Sequence, residues 1–345
     1  MLEQGKPLVV EELALPEPGP GEVLLEVVAC GLCHTDVGFL YEGVRPNAGV
    51  PLTLGHEIVG RVTAGGAGCE NRVGETLLVP AVLPCGDCDL CSRGRGNVCR
   101  NQKMPGNDFD GGFASHFVAP ARFLCHVPAD TPHLEDLSVV ADAVGTAYQA
   151  VRRAGVKDGD LVVVVGAGGV GTFAVQTARV LGAKVVAIDV DSNRLEAVEK
   201  YVDLPLNASE VDTKTIRKVV RGFEKEHDIP PFGRRIFECS GNAKGQETAY
   251  ALLNHDARLG LVGFTMDKVN VRLSNLMAFD ATAFGNWGCL PDYFPEIMSL
   301  IRENRIDIEP FVERFPMSRL NELLQHKSGH VRRPVLIPDF ENGSC

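Results

Sequence analysis

Apolar and polar positions follow two regimes along the chain. Up to about Ala143 the apolar residues come in short runs, "EVLLEVVACG", "HEIVGRVTAG", "GETLLVPAVL" and "ASHFVAPARFLCHV", rich in Val and Leu and bounded by turn residues. Such runs predict short strands, and their succession predicts a barrel-like all-β domain. From "AVGTAYQAVRRAG" onward the period changes. Amphipathic stretches of helix length alternate with the apolar runs "DLVVVVGAGG", "AKVVAIDV", "RRIFECSG" and "ARLGLVGFT". That alternation predicts βαβ units on a parallel sheet. After about Phe284 the pattern turns irregular, with one helix in "NWGCLPDYFPEIMSLIRENRI" and one strand in "VRRPVLIPDF". The fold class is therefore α/β plus β: a β domain (1–143 and 285–345) interrupted by an α/β domain (144–284).

Length and charge narrow the function classes. At 345 residues the chain can bury two sizeable cores. A formal net charge of −11 argues against nucleic acid or an anionic membrane as a partner. The start, "MLEQGKPLVVEELALPEPGPGE", lacks the basic and apolar regions of a secretory signal. No apolar run approaches the roughly 20 residues of a membrane span. Eleven cysteines without export features fit a reducing cytoplasm better than a disulfide framework, and most read as small buried hydrophobes.

The segment "LVVVVGAGGVGTFAVQTARVLGAKVVAIDVDSNR" reads as strand, glycine turn, helix and second strand. Gly166, Gly168 and Gly171 fit G-x-G-x-x-G: the first permits the turn, the second lets a pyrophosphate approach the backbone, the third lets helix and strand pack. The free N–H groups and positive dipole end of the helix then face the phosphates. Gly169 and Val170 complete the turn, and Arg194 follows as a further candidate cofactor contact. Asp189 ends the next strand, 23 residues after Gly166. Its carboxylate accepts from a ribose 2′-hydroxyl and repels a 2′-phosphate, which favours NAD over NADP. The alternative is a tight βα turn with an incidental acid.

The loudest signal is "PCGDCDLCSRGRGNVC", in which Cys85, Cys88, Cys91 and Cys99 follow C-x2-C-x2-C-x7-C. Thiolates at this spacing converge on one tetrahedral centre, and four of them leave no open position, so a zinc held there is structural. An iron–sulfur cluster is the main competitor.

Taken together, "GLCHTD", "GHEIVGRVTAGGAGC", the four-cysteine lobe, "GGFASH" and "VVVVGAGGVG" resemble the zinc-dependent medium-chain alcohol dehydrogenases over nearly the whole chain. The resemblance implies a GroES-like β-barrel catalytic domain with an inserted Rossmann domain, NAD, and two zinc ions per chain, one catalytic and one structural. It implies Cys33 and His56 as ligands of the catalytic zinc, with Glu57 as an optional one. Asp142 stands where many relatives have a Cys and polyol-dehydrogenase relatives a Glu; the alternative for it is a supporting carboxylate or a helix cap. Thr35 matches the hydroxyl that binds the substrate alcohol and starts proton removal, and Asp36 the carboxylate that orients the ligating His. His34 matches a position facing the pyrophosphate, and Val262, Gly263 and Phe284 match the backbone support of the nicotinamide. Gly38 stands where some relatives carry a relay His, so proton release needs ribose hydroxyls, water or a group such as Glu57. Hydride then passes from the ionised alcohol on the zinc to the nicotinamide.

A narrower resemblance, carried by "AVLPCGDC", "QKMPGN", "VVADAV", "NLMAFDA", "NWGCLP" and "IEPFVE", is to the 6-hydroxycyclohex-1-ene-1-carbonyl-CoA dehydrogenases of anaerobic aromatic degradation. It implies a small-molecule substrate that is a cyclic hydroxyacyl-CoA, with Arg93, Arg95, Arg100, Lys103 and Arg122 as a candidate basic patch for the CoA phosphates, or else a solvated lobe surface. Relatives also imply a homo-oligomer, dimer or tetramer, formed through the α/β domain. The competing readings are a polyol or secondary-alcohol dehydrogenase, a zinc-ribbon-like nucleic-acid binder, and a zinc-free reductase of the same fold.

Overall fold

The computed structural model describes residues 1–325 and 330–340. Residues 326–329 and 341–345 of the expected 285–345 segment, Cys345 among them, lie outside the described residues. The chain divides into two compact units, Met1–Gly145 with Gly288–Arg302 and Val312–Cys345, and Thr146–Trp287 with Glu303–Phe311. In chain order the strands are β1 (Glu22–Gly31), β2 (Glu57–Gly65), β3 (Thr76–Val79), β4 (His116–Pro120), β5 (Cys125–Val127), β6 (Leu161–Val165), β7 (Lys184–Asp189), β8 (Leu204–Asn207), β9 (Arg235–Glu238), β10 (Arg258–Leu261), β11 (Thr282–Gly285), β12 (Val312–Pro316) and β13 (Arg333–Ile337).

In the first unit the sheet order is β12-β13-β1-β2-β3-β5, with β4 also on β1. β1 is its hub. It runs antiparallel to β2 over most of its length, to β4 over residues 22–26, and to β13 at Cys30 and Gly31. Leu25, Ile58 and Leu77 are fully buried in the core beneath it, together with Leu40 of the helix His34–Tyr41. Each such side chain contributes about 1.5–3 kcal/mol when fully buried.

The second unit carries a parallel sheet of order β11-β10-β9-β6-β7-β8. Its central strand β6, "LVVVV", is buried at every position, as a strand covered on both faces must be. The helices Gly171–Val180 and Ala243–Ala251 follow β6 and β9. The expected combination of a GroES-like β domain and an inserted Rossmann-like α/β domain on a parallel sheet is thus the architecture observed.

Several elements differ from the sequence reading. "ASHFVAPARFLCHV" forms two strands, because Phe123 takes a φ of 75° between β4 and β5 and breaks the run. β8 holds Pro205, which its edge position tolerates, since among the described strands it pairs with β7 alone. β11 and β12 are also edge strands, and their half-exposed sequences show no clean alternation. Glu303–Phe311 belongs to the α/β unit and not to the returning β domain. Phe311 packs 6.1 Å from Phe173 and 5.9 Å from Tyr201 between ring centroids. Asp307 also accepts from Lys200 Nζ at 2.8 Å and from the Tyr201 hydroxyl.

Candidate active site

Cys33, His56, Glu57 and Asp142 offer ligand atoms that all lie within 4.8 Å of one another. β1 and β2 position most of the set. Gly31 pairs with Glu57 across the ladder, so the residues just after β1 and just before β2 meet at one sheet end. Asp36 clamps the two segments: one oxygen accepts the Cys33 N–H at 3.0 Å and the other the Gly55 N–H at 3.2 Å. The latter oxygen also lies 3.6 Å from His56 Nδ1. Asp142 Oδ2 stands 3.4 Å from Cys33 Sγ and 3.6 Å from His56 Nε2. Sulfur, nitrogen and oxygen on a tetrahedral zinc would stand about 3.3–3.8 Å apart, given metal–ligand bonds of about 2.0–2.3 Å. Both His56 ring nitrogens are buried and find no hydrogen-bond partner among the described residues, a costly state that a bound metal and a slightly closer Asp36 relieve. The donor set therefore fits zinc.

The electrostatics agree. Burial alone pushes the His56 imidazole down, but Asp36, Cys33 and Asp142 outweigh it and leave the ring well above its ordinary pKa. The pocket draws positive charge. The Thr35 hydroxyl oxygen lies 3.6 Å from Cys33 Sγ, beside the cluster. His34 is half-exposed, with Nε2 at 3.3 Å from Glu42.

Sequence reasoning missed Arg333. Its guanidinium grips Glu57 with two bonds of 2.8 and 2.5 Å, and also lies 3.8 Å from Asp142 Oδ2. Burial pushes the Glu57 carboxyl up to about 7 against the pull of Arg333. Gly31 makes room for the pair, since a Cβ there would stand 2.0 Å from Glu57 Oε2. An arginine inside the otherwise apolar β13 was the available signal.

In the lobe, the four sulfurs of Cys85, Cys88, Cys91 and Cys99 are separated by 3.4–3.9 Å along four edges. A tetrahedron of sulfurs about 2.3 Å from zinc has edges of about 3.8 Å. The space takes one ion and not a polynuclear cluster, whose cysteines bind separate irons. Backbone N–H groups of Cys85, Gly86 and Asn101 point at the sulfurs. Arg122, expected in a CoA-binding patch, is instead committed to the lobe. It donates to the Cys85 carbonyl at 3.0 Å and to Asp87 at 2.9 Å.

The glycine turn of the second unit follows β6. Gly166 has a φ of 94°, and a Cβ on Gly171 would collide with the Gly166 carbonyl at 1.7 Å. At Gly168 the nearest atom to such a Cβ is Arg194 Nη1 at 3.6 Å, so the turn offers an open backbone cradle that fits a pyrophosphate. Asp189 accepts the Ala167 and Asp191 N–H groups at 2.7 and 3.0 Å, which ties the acid to the turn. Gly169 and Val170 lie within the turn, and Arg194 Nε is 3.8 Å from Asp191. The N–H groups of Val262 and Gly263 are both spent on the Glu238 carbonyl. Phe284 lies in β11 under the Arg153 guanidinium, 4.7 Å from the ring centroid.

Comparison with known proteins agrees with this geometry. Residues 19–129 match the alcohol dehydrogenase GroES-like domain and residues 169–303 the zinc-binding dehydrogenase domain. An alcohol dehydrogenase of Rhizobium meliloti is 35% identical over 266 residues, 76% of this chain and 75% of that one. The L-threonine 3-dehydrogenase of Pyrococcus furiosus is 31% identical over 322 residues, covering 90% and 88%. The crystal structure of the Aeropyrum pernix alcohol dehydrogenase superposes with a TM-score of 0.87 at 26% identity, covering 98% of both chains. With a relative this similar aligned over nine-tenths of its length, the chain belongs to the zinc-type medium-chain alcohol dehydrogenases and is an oxidoreductase.

Proposed function

We propose that the chain is an NAD-dependent, two-zinc dehydrogenase that oxidises the ring hydroxyl of 6-hydroxycyclohex-1-ene-1-carbonyl-CoA to the ketone. The observation that carries the dehydrogenase reading is the convergence of Cys33, His56 and Asp142 beside the Thr35 hydroxyl. These three residues hold the catalytic zinc and the four lobe cysteines hold the structural one. Zinc in the first site supplies Lewis acidity, which makes a bound alcohol easier to ionise. Thr35 Oγ1 hydrogen-bonds the substrate hydroxyl and takes its proton toward solvent. Asp36 keeps His56 Nε2 turned to the metal through Nδ1. Arg333 holds Glu57 in a salt bridge, so that Asp142 is the resting carboxylate ligand. The alcohol carbon loses hydride to nicotinamide C4 and its hydroxyl loses a proton, so that alcohol and NAD⁺ give ketone, NADH and H⁺.

Gly166, Gly168, Gly169, Val170 and Gly171 cradle the pyrophosphate, Asp189 and Arg194 face the adenosine ribose, and His34 contacts the cofactor phosphates. The Val262, Gly263 and Phe284 backbone supports the nicotinamide. Asp189 favours NAD by repelling a 2′-phosphate. The exposed Arg93, Arg95, Arg100 and Lys103 support a CoA ester by offering positive charge to its phosphates. Exposed Phe264, Met266, Leu273 and Met277, in the same unit as the open edge β11, support a homo-oligomer formed through the α/β unit. No described helix is long and apolar enough to cross a membrane. The ten cysteines among the described residues are free thiols, which suits a reducing cytoplasm.

The second reading is a dehydrogenase for a polyol or a small secondary alcohol. The acidic Asp142 favours it, as does the similarity to an L-threonine 3-dehydrogenase. NAD reduction measured over cyclic hydroxyacyl-CoA esters, their free acids, polyols, threonine and simple alcohols decides between them. The first reading expects the lowest KM for the CoA ester; equal KM values for ester and free acid would sink it.

A further inference from the structure

β9 ends at Glu238 in the middle of the parallel sheet, flanked by Val165 of β6 and Leu261 of β10. The strand order reverses between β9 and β6, and such a point opens a crevice for a ligand at the carboxyl ends of the strands. The Glu238 side chain is 0% exposed. One carboxylate oxygen accepts the Ser240 N–H at 2.7 Å, the Ser240 hydroxyl at 2.5 Å and the Gly241 N–H at 3.2 Å. All three donors are uncharged. The Glu238 carbonyl accepts the Val262 and Gly263 N–H groups, each at 2.9 Å. The surrounding segments approach so closely that a Cβ on Gly263 would lie 2.3 Å from Gly241 N, and one on Gly166 2.5 Å from Ser240 N.

Hydrogen bonds from uncharged groups are all that offsets the carboxyl among the described residues. A neutral amide could accept the same bonds, whereas a buried charge without a cation costs several kcal/mol. Burial pushes the carboxyl up from its ordinary range, while Ser240, Gly241 and Gln246 hold it back by hydrogen bonding. A costly buried acid at a ligand crevice is the pattern of a group kept for binding.

We infer that Glu238 is a positioning residue of the dinucleotide site, setting Ser240 and Gly241 against the Gly166 turn, and that its negative charge favours the oxidised cofactor, whose nicotinamide carries the positive charge the reduced form lacks. The inference rests on the proposed placement of the nicotinamide at Val262 and Gly263.

Glu238→Gln and Ser240→Ala test it in the full-length protein. NADH binding is followed by fluorescence and NAD⁺ binding by displacement of NADH, with thermal melting of the same samples. Loss of a charged hydrogen-bond partner predicts that Glu238→Gln weakens NAD⁺ about tenfold, against about threefold or less for NADH. Ser240→Ala, which keeps the charge, weakens both equally, by about threefold. An unchanged ratio of the two affinities in Glu238→Gln overturns the inference, as does a lowered melting temperature with both affinities intact. Should Glu238→Gln not fold, unchanged affinities in Ser240→Ala overturn it and an equal loss supports it. A wild-type protein that binds neither nucleotide defeats the dehydrogenase reading itself, a result distinct from both.

Discussion

Cys85, Cys88, Cys91 and Cys99 reach one point from fifteen residues of chain, whereas Cys33, His56 and Asp142 come from three segments spread over more than a hundred. The lobe needs only its own loop, with Arg122 tying Cys85 to Asp87 from outside. The open cluster needs β1 paired to β2, Asp36 bridging Cys33 to Gly55, and β13 delivering Arg333. Four equal sulfurs close a coordination sphere. On the proposed assignment a sulfur, a nitrogen and a carboxylate, with a second carboxylate held by an arginine, would leave one position for substrate. If the proposed function holds, the conspicuous metal motif serves shape while the scattered one serves chemistry.

The sharpest way to break this contrast is to remove one ligand from each cluster. Cys33→Ala should cut kcat at least about a thousandfold, since Lewis-acid catalysis is worth several kcal/mol, and lower metal content by one ion per chain. Cys91→Ser should also remove one ion, but show its loss as a lower melting temperature, with kcat of the surviving folded enzyme within about tenfold of wild type. Metal analysis with initial rates separates the two; equal kcat losses would erase the distinction.

Next in size is Arg333→Met, which strands the fully buried Glu57 carboxylate. Breaking a buried pair from one side costs about 3–5 kcal/mol, to be read by urea unfolding of the metal-loaded protein. Adding Glu57→Gln should recover most of that loss. If it does not, Arg333 acts through Asp142 instead. Asp36→Asn keeps the shape of the clamp but weakens its hold on His56. It should lower metal affinity about 10–100-fold at the open cluster and leave chelator release from the lobe unchanged.

The smallest effect belongs to a group in neither cluster. Against the upward push of burial, the Val185 N–H, Lys184 and Arg179 hold the Asp203 carboxyl below its ordinary range. Its native pKa is thus lower than its unfolded one. The stabilisation is full above about pH 4 and is lost as pH falls through the lowered native value. Asp203→Asn should therefore cost under about 1 kcal/mol near neutrality and nothing at the acid end, with no change in metal content.

The glycine turn, the second strand ending in Asp189 and the four-cysteine lobe were legible because each is local. Backbone demands and ligand spacing are written within a few dozen residues. Cys33, His56 and Asp142 were placed only through the family resemblance, since nothing in a lone "CHTD" or "GHE" says that they meet. Arg333 and Glu238 were not legible at all. Their importance comes from what surrounds them, a buried carboxylate for one and a reversal of strand order for the other. The contacts of Arg122 were not legible either, because a charge in sequence does not reveal that carbonyls across a turn hold it.

The sequence by itself determined the alternation of elements, the class of each domain, the dinucleotide turn and the closed sulfur site, all set by residues near one another along the chain. Only the tertiary structure decided that Cys33, His56, Glu57 and Asp142 meet, that Arg333 restrains Glu57, and that a buried acid ends β9 where the strand order reverses. Those outcomes depend on burial and on packing between segments that the chain order keeps apart, Glu57 and Arg333 by 276 residues, where desolvation makes each unpaired group costly and so fixes its partner.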